Sequence, residues 1–184
     1  MVWINPHVRV SIKPLKALPL NIKYGFVATT FGKLLLGLTG NDAICLLYFV
    51  QNDEKTSLEE VQQRWPKIEL IPDASVLAKC SKIFASDKEN LPTIELAVKG
   101  TDLQLAVWNE LVKTSCGKTC TYTELAELVG RPKAVRAVAS AVAKNEISIL
   151  IPCHRIVSKS GALKYHWGGE LKRELLNYEA NTER

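Results

Sequence analysis

Histidine occurs three times and methionine once among the 184 residues, and the longest nearly apolar runs, such as residues 43–50, are short. Runs of that length cannot span a bilayer, which takes roughly 20 apolar residues as a helix. The first residues alternate strand-like through His7, Val8, Arg9 and Val10 and carry none of the marks of a cleavable signal. The expectation is a soluble, intracellular protein with no membrane partner, nuclear in a eukaryote and cytoplasmic in a prokaryote. Strong charge of one sign is also missing. The formal net charge is +5, split as +2 over residues 1–99 and +3 over residues 100–184. Neither half is a polycation, so total charge alone does not point to nucleic acid. The stretch 130–145 is different, because it holds Arg131, Lys133, Arg136 and Lys144 and no acid.

Cysteine is present in a number that excludes one role and weakens another. Cys45, Cys80, Cys116, Cys120 and Cys153 are odd in count and widely spaced, which argues against a disulfide framework. Only Cys116 and Cys120 lie close together. A C-x3-C pair with His7, His154 and His166 elsewhere is a poor match to the paired spacings of structural zinc. No metal site is expected, and most of the thiols read as small buried apolar groups.

Hydrophobic 47% and charged 23% suit a globular core, and the length fits one medium domain or two small ones. Residues 26–30 and 34–38 flank a turn at 31–33, and Gly40-Asn41-Asp42 turns the chain into 43–50, which together read as an antiparallel meander. Ser57-x-x-Glu60 reads as a capping box for a helix ending before Pro66. Asp73 reads as the cap of a second helix through Ala85, with Val76, Leu77, Cys80 and Phe84 on one face. A strand is expected at 93–98, with the domain boundary near Gly100. This half has neither a Gly-rich phosphate loop nor a carboxylate cluster, so it reads as scaffold.

Beyond Gly100 the pattern is helical. Thr101-x-x-Gln104 is a second capping-box pattern, with Leu105, Trp108, Leu111 and Val112 on one stripe. A helix at 121–129 ends at Gly130, and Pro132 is expected in the first turn of the next, at 133–144. Two short helices joined by a Gly-containing turn form a helix-turn-helix. The second is nearly bare of bulk, with Ala134, Ala137, Ala139, Ala141 and Ala143. That composition suits either close core packing or close approach to DNA with Arg136 as the one long projection.

Chemistry concentrates at Cys153-His154-Arg155, delivered by an apolar run from Ile147. A thiol is a nucleophile only as thiolate, and a neighbouring imidazole oriented by an acid can generate it. In extended chain, Cys153 and His154 would point to opposite sides, so a bridging water or a sharp bend is required. Glu170, Glu174 and Glu179 are the acids available downstream.

The segment Ile151-Pro152-Cys153-His154-Arg155-Ile156-Val157 resembles the active-site signature of O6-alkylguanine-DNA alkyltransferases. The likeness extends to Val107-Trp108, Gly117-Lys118-Thr119, Thr121-Tyr122, the run Gly130 to Val138, Asn145, Ser160-Gly161-Ala162 and Trp167-Gly168-Gly169, covering residues 100–179. The resemblance implies an α+β protein, with a ribonuclease-H-like α/β domain and antiparallel sheet over 1–99. Residues 100–184 would be a mainly helical winged-helix or helix-turn-helix domain that carries the alkyl acceptor. It further implies a monomer without cofactor that repairs double-stranded DNA containing O6-methylguanine, with O4-methylthymine as a further candidate. Cys153 would keep the alkyl group permanently, in a stoichiometric, self-inactivating S-methyltransferase reaction.

The other roles follow by position. His154 would take the thiol proton through a water, Glu179 would orient His154, and Tyr122 would donate a proton to the guanine. Asn145 would tie the recognition helix to the active-site segment. Arg136 would fill the gap left by the flipped nucleotide, while Thr123, Arg131 and Lys159 contact the DNA backbone. Tyr165, His166 and Trp167 would line the pocket. Ser148 stands where a proline is common, implying a less rigid loop, and the zinc ligands of some members have no counterpart. Lys164 in place of glycine and the bulk of His166 and Trp167 imply a pocket that suits methyl better than large O6 adducts. The alternatives weighed against this reading are a lesion-binding relative that accepts no alkyl group, a cysteine hydrolase that turns over, and a helix-turn-helix regulator.

Overall fold

The computed structural model describes residues 8–83 and 93–182, and the chain divides at Lys99/Gly100 into two units. Unit 1 is built on β1 (Arg9–Pro14), β2 (Asn21–Thr29), β3 (Gly32–Leu38), β4 (Ile44–Phe49), β5 (Glu69–Pro72) and β6 (Thr93–Val98), in the order β1-β6-β4-β3-β2-β5. The meander β2-β3-β4 is antiparallel as its turn residues require. The sheet as a whole is mixed, which corrects the antiparallel expectation: β1 and β4 pair with β6, and β2 with β5, in parallel. Parallel neighbours need crossover connections, and turn chemistry between consecutive strands carries no sign of them. Leu34, Leu35, Leu36 and every residue of β4 are buried, the near-continuous apolar pattern of strands covered on both faces.

Two helices fall between the strands in sequence, α1 (Glu54–Arg64) before β5 and α2 (Val76–Ile83) after it. The cap of α1 is Asp53, whose carboxylate accepts from Thr56 N at 2.7 Å, so the expected Ser57 box is wrong. Ser57 is instead buried inside the helix with its hydroxyl on Asp53 O. Asp53 gives the stronger N-cap, as an ionised acceptor beside the positive end of the helix. Asp73 sits ahead of α2 and accepts from Ser75 N at 2.8 Å. The expected end of that helix, Phe84 and Ala85, lies outside the described residues.

Unit 2 holds α3 (Asp102–Leu111), β7 (Cys120–Thr121), α4 (Tyr122–Leu128), α5 (Val135–Ala143), a 3-10 turn (Cys153–Arg155), β8 (Ile156–Val157) and α6 (Gly169–Thr182). Thr101 and Gln104 form the reciprocal box that opens α3. Trp108 of that helix is buried and donates its indole N–H to Ala141 O at 3.0 Å, fastening α3 to α5. Thr121 and Glu124 form a second box that opens α4. Gly130 ends it with φ 69°, while Arg131 N donates to Ala126 O and Gly130 N to Glu127 O. These two bonds make a Schellman closure, which needs the left-handed conformation that glycine adopts without strain. Pro132 is not in the first turn of α5. It lies in the turn from Arg131 to Ala134, closed by Ala134 N on Arg131 O, the i+1 position that its fixed φ suits. α5 consequently starts at Val135.

Candidate active site

The site is assembled around the end of α5. Asn145, buried two residues past the helix, accepts from Ile147 N with its side-chain oxygen at 3.0 Å. Its amide nitrogen donates toward Ile151 O at 2.9 Å, Ile147 O at 3.1 Å and Cys153 Sγ at 3.2 Å. Two hydrogens face three acceptors, so the sulfur shares its bond with a carbonyl. The loop between is packed inside: Ser148 is fully buried and Ile149 holds φ 67°, a left-handed conformation costly for a β-branched residue. The chain then bends through the 3-10 turn. This is the sharp bend that neighbouring Cys and His side chains need in order to serve one site, and both are buried.

Behind the turn stands Glu179 of α6. Its Oε1 lies 2.8 Å from His154 Nε2 and 2.8 Å from Arg155 Nη2, and its Oε2 accepts from Arg155 Nε at 2.9 Å and Gly117 N at 3.2 Å. Burial opposes ionisation of this carboxyl, but the hydrogen bonds and charges of His154 and Arg155 outweigh it and hold it at about 2. An ionised carboxylate only accepts, so Nε2 carries the proton and Nδ1 keeps its lone pair. Burial also lowers the His154 pKa despite Glu179, which leaves the ring neutral. Nδ1 is buried and makes no hydrogen bond. The arrangement presents a base. The Cys153 thiol needs one, because burial pushes it up to about 11 against the Asn145 hydrogen bond and the charge of Lys172.

In front of the sulfur opens a cavity of about 510 Å³. Tyr122, Asn145, Cys153, Tyr165, His166 and Trp167 line it together with Ala139, Val142 and Ala143 of α5. Tyr122 arrives there because β7 pairs in parallel with β8, Thr121 opposite Val157. Burial and the neighbouring Cys153 raise the Tyr122 pKa, so its hydroxyl stays protonated. Tyr165 lies edge-on to Trp167 at 5.2 Å and to His154 at 6.5 Å. The structure therefore brings together the expected catalytic and pocket residues. Arg131, Arg136 and Lys159 are exposed and Thr123 half-buried, and none of the four lines the cavity. Arg136 shares the exposed face of α5 with Ala137, Ser140, Ala143 and Lys144.

Three contributors have no role in the sequence reading. Arg155 belongs to the motif, and its guanidinium grips Glu179 and Thr114 O. Lys172 is buried and donates to Ile156 O and to Lys164 O at 3.0 Å, joining α6 to β8 and the pocket loop. The Cys116-Gly117 turn receives Glu179, with the Cys116 thiol on Glu179 O. A signal existed for Lys172: with Leu175 and Glu179 it falls at i, i+3 and i+7, so two charged residues occupy the buried stripe of α6.

A Cys-His-Glu constellation set at a cavity on an α+β fold is the class these features define. Residues 102–181 match the family model described as 6-O-methylguanine DNA methyltransferase, DNA binding domain. The constitutive methylated-DNA–protein-cysteine methyltransferase of Bacillus subtilis is 34% identical, over 85% of this chain and 94% of its own length. The bifunctional transcriptional activator/DNA repair enzyme Ada of Escherichia coli is 37% identical over 89% of this chain, which spans only 47% of that protein. The Mycobacterium tuberculosis O6-methylguanine methyltransferase superposes with a TM-score of 0.68 at 30% identity, covering 87% of this chain and 93% of its own. That mycobacterial protein has also been solved in complex with DNA. The chain belongs to the methylated-DNA–protein-cysteine methyltransferase family.

Proposed function

We propose that this protein repairs double-stranded DNA by transferring the alkyl group of O6-methylguanine to Cys153, once and irreversibly, acting as a monomer without cofactor, with O4-methylthymine as a further substrate. The observation that carries the reading is the pairing of His154 Nε2 with an ionised Glu179 at 2.8 Å, which leaves the basic Nδ1 of a neutral ring free of any protein partner next to Cys153 in the chain. In the reaction the thiol proton passes through a water to Nδ1. The sulfur attacks the alkyl carbon in line, and the C–O pair leaves with the guanine, which Tyr122 protonates. Asn145 steadies the developing thiolate through its N–H.

A base inside the duplex cannot reach a cavity of this kind, so the lesion is flipped, at a cost of about a few kcal/mol that is least for poorly paired bases. Arg136, exposed on a face of small residues, fills the gap, and Thr123, Arg131 and Lys159 hold the backbone. In this reading residues 1–99 are a ribonuclease-H-like scaffold and residues 100–184 a winged-helix, helix-turn-helix domain whose α5 enters the groove.

Intact-mass spectrometry after incubation with an O6-methylguanine duplex tests the proposal. One added methyl, mapped to Cys153 and lost in Cys153→Ala, is the expected result. Turnover without an adduct would identify a hydrolase, and sequence-specific binding without an adduct a regulator. With Trp167 and His166 on the pocket wall, the same assay should show O6-benzylguanine duplex reacting at least about tenfold more slowly, as a mispositioned carbon loses its near-attack geometry. Equal or faster benzyl transfer contradicts the pocket reading.

A further inference from the structure

The hydroxyl of Tyr165 is buried and makes no hydrogen bond to another protein group, as is true of His154 Nδ1. A buried hydroxyl without a partner costs about 1–3 kcal/mol, and phenylalanine would fill the same ring site without it. The Tyr165 ring stands edge-on to His154 at 6.5 Å, lines the cavity with Cys153, and feels the charge of both Cys153 and Glu179. Two buried polar atoms without a protein partner thus belong to neighbouring rings beside one thiol, the base Nδ1 of His154 and the phenol of Tyr165.

Burial and those two charges raise the Tyr165 pKa well above the ordinary value, so the phenol keeps its proton throughout. It is a hydrogen-bonding group and not a base. A water that links the Cys153 thiol to Nδ1 has two partners from that relay, whereas buried waters typically hold about three. Tyr165, whose buried hydroxyl has no protein partner and lines the same cavity as Cys153, can supply the third.

We propose that Tyr165 is a positioning residue of the proton relay: its hydroxyl holds the water through which His154 Nδ1 receives the Cys153 proton. This rests on the reading of His154 as the base. The proton leaves sulfur for the water while a water proton passes to Nδ1. The phenol gives up nothing, and the S–C bond forms as the C–O bond breaks toward guanine.

The test is Tyr165→Phe, read in two reactions on the intact chain: methyl transfer from an O6-methylguanine duplex, and Cys153 labelling by iodoacetamide, each by mass spectrometry from pH 6 to 10. The variant loses no hydrogen bond to protein, so its thermal midpoint should equal or exceed that of the parent. At pH 7 both reactions should slow about tenfold. Their rates should then climb with pH, because hydroxide replaces the relay, and approach the parent near pH 10. Parental rates and profile in the variant overturn the proposal, as does a uniform slowing with the profile unchanged, which would mean that Tyr165 only shapes the pocket. His154→Ala separates the two levels of the argument. If its iodoacetamide profile matches the parent, the base reading itself fails, whatever Tyr165 does.

Discussion

Glu179 takes more of the site's load than any other residue, since one carboxylate orients His154, receives Arg155 twice and accepts the Gly117 amide. Removing one partner of a buried pair typically costs about 3–5 kcal/mol, because the remaining charge is stranded. For Glu179→Gln we expect a loss of about 3 kcal/mol at pH 7, measured by denaturant unfolding, together with slower alkyl transfer. The same residue sets an acid limb. Its folded pKa is about 2 against an ordinary 4.5, so the unfolded chain binds the extra proton first. Its contribution is complete above about pH 4.5 and is lost as pH falls toward 2. In Glu179→Gln that part of the limb should be gone. His154, whose pKa is lowered by burial, adds its own decline starting at its ordinary 6.5, which Glu179→Gln does not by itself remove. A variant with the parental acid limb would show that the carboxylate is not the group titrating.

At the level of elements, short segments with strong ends position the candidate site. α4 runs only Tyr122–Leu128, yet it opens on the Thr121–Glu124 box and closes on the Gly130 turn. Tyr122 is its first residue, so the cap also sets where that hydroxyl stands in the cavity. Thr121→Ala removes the side-chain acceptor of the Glu124 amide and should cost about 1 kcal/mol of unfolding free energy. Methyl transfer should slow beyond what that loss explains at temperatures where the fold is intact. An unchanged rate would separate the cap from Tyr122.

The box at Thr101 and the glycine closure at the end of α4 were legible because capping and closure are local, written within four or five residues. The failures were also local in kind. Ser57 matched the box pattern as well as Asp53 matches a cap, and only the geometry of the first turn decides between them. Parallel pairing and the Glu179 site were illegible from spacing for the opposite reason. His154 and Glu179 lie 25 residues apart, and periodicity left Glu170, Glu174 and Glu179 equal. The resemblance singled out Glu179, and it is the carboxylate found 2.8 Å from His154 Nε2, with Arg155 and Gly117 as its other partners. Lys172 went unread because a lysine on an amphipathic stripe is normally taken for its solvent edge.

For the whole molecule, the net charge of +5 and its even division, +2 before residue 100 and +3 after, limit how DNA binding can respond to salt. Each phosphate neutralised contributes about −0.9 to the slope of log affinity against log salt. The basic side chains near the proposed face are Arg131, Lys133, Arg136, Lys144 and Lys159, all exposed. If every one met a phosphate the slope would reach about −4.5. Arg136 is assigned to the base stack, so a slope near −3 to −4 is expected for undamaged duplex. Lys159→Ala should flatten it by about one unit and weaken all sequences alike, whereas Arg136→Ala should leave the slope within about half a unit and slow methyl transfer from duplex. The wedge role also predicts that Arg136→Ala recovers most of the parental rate on single-stranded O6-methylguanine DNA, where no gap needs filling. A full unit of slope lost with Arg136, or equal slowing on single and double strands, would make it a phosphate clamp and return the flipping step to the lesion's own weak pairing.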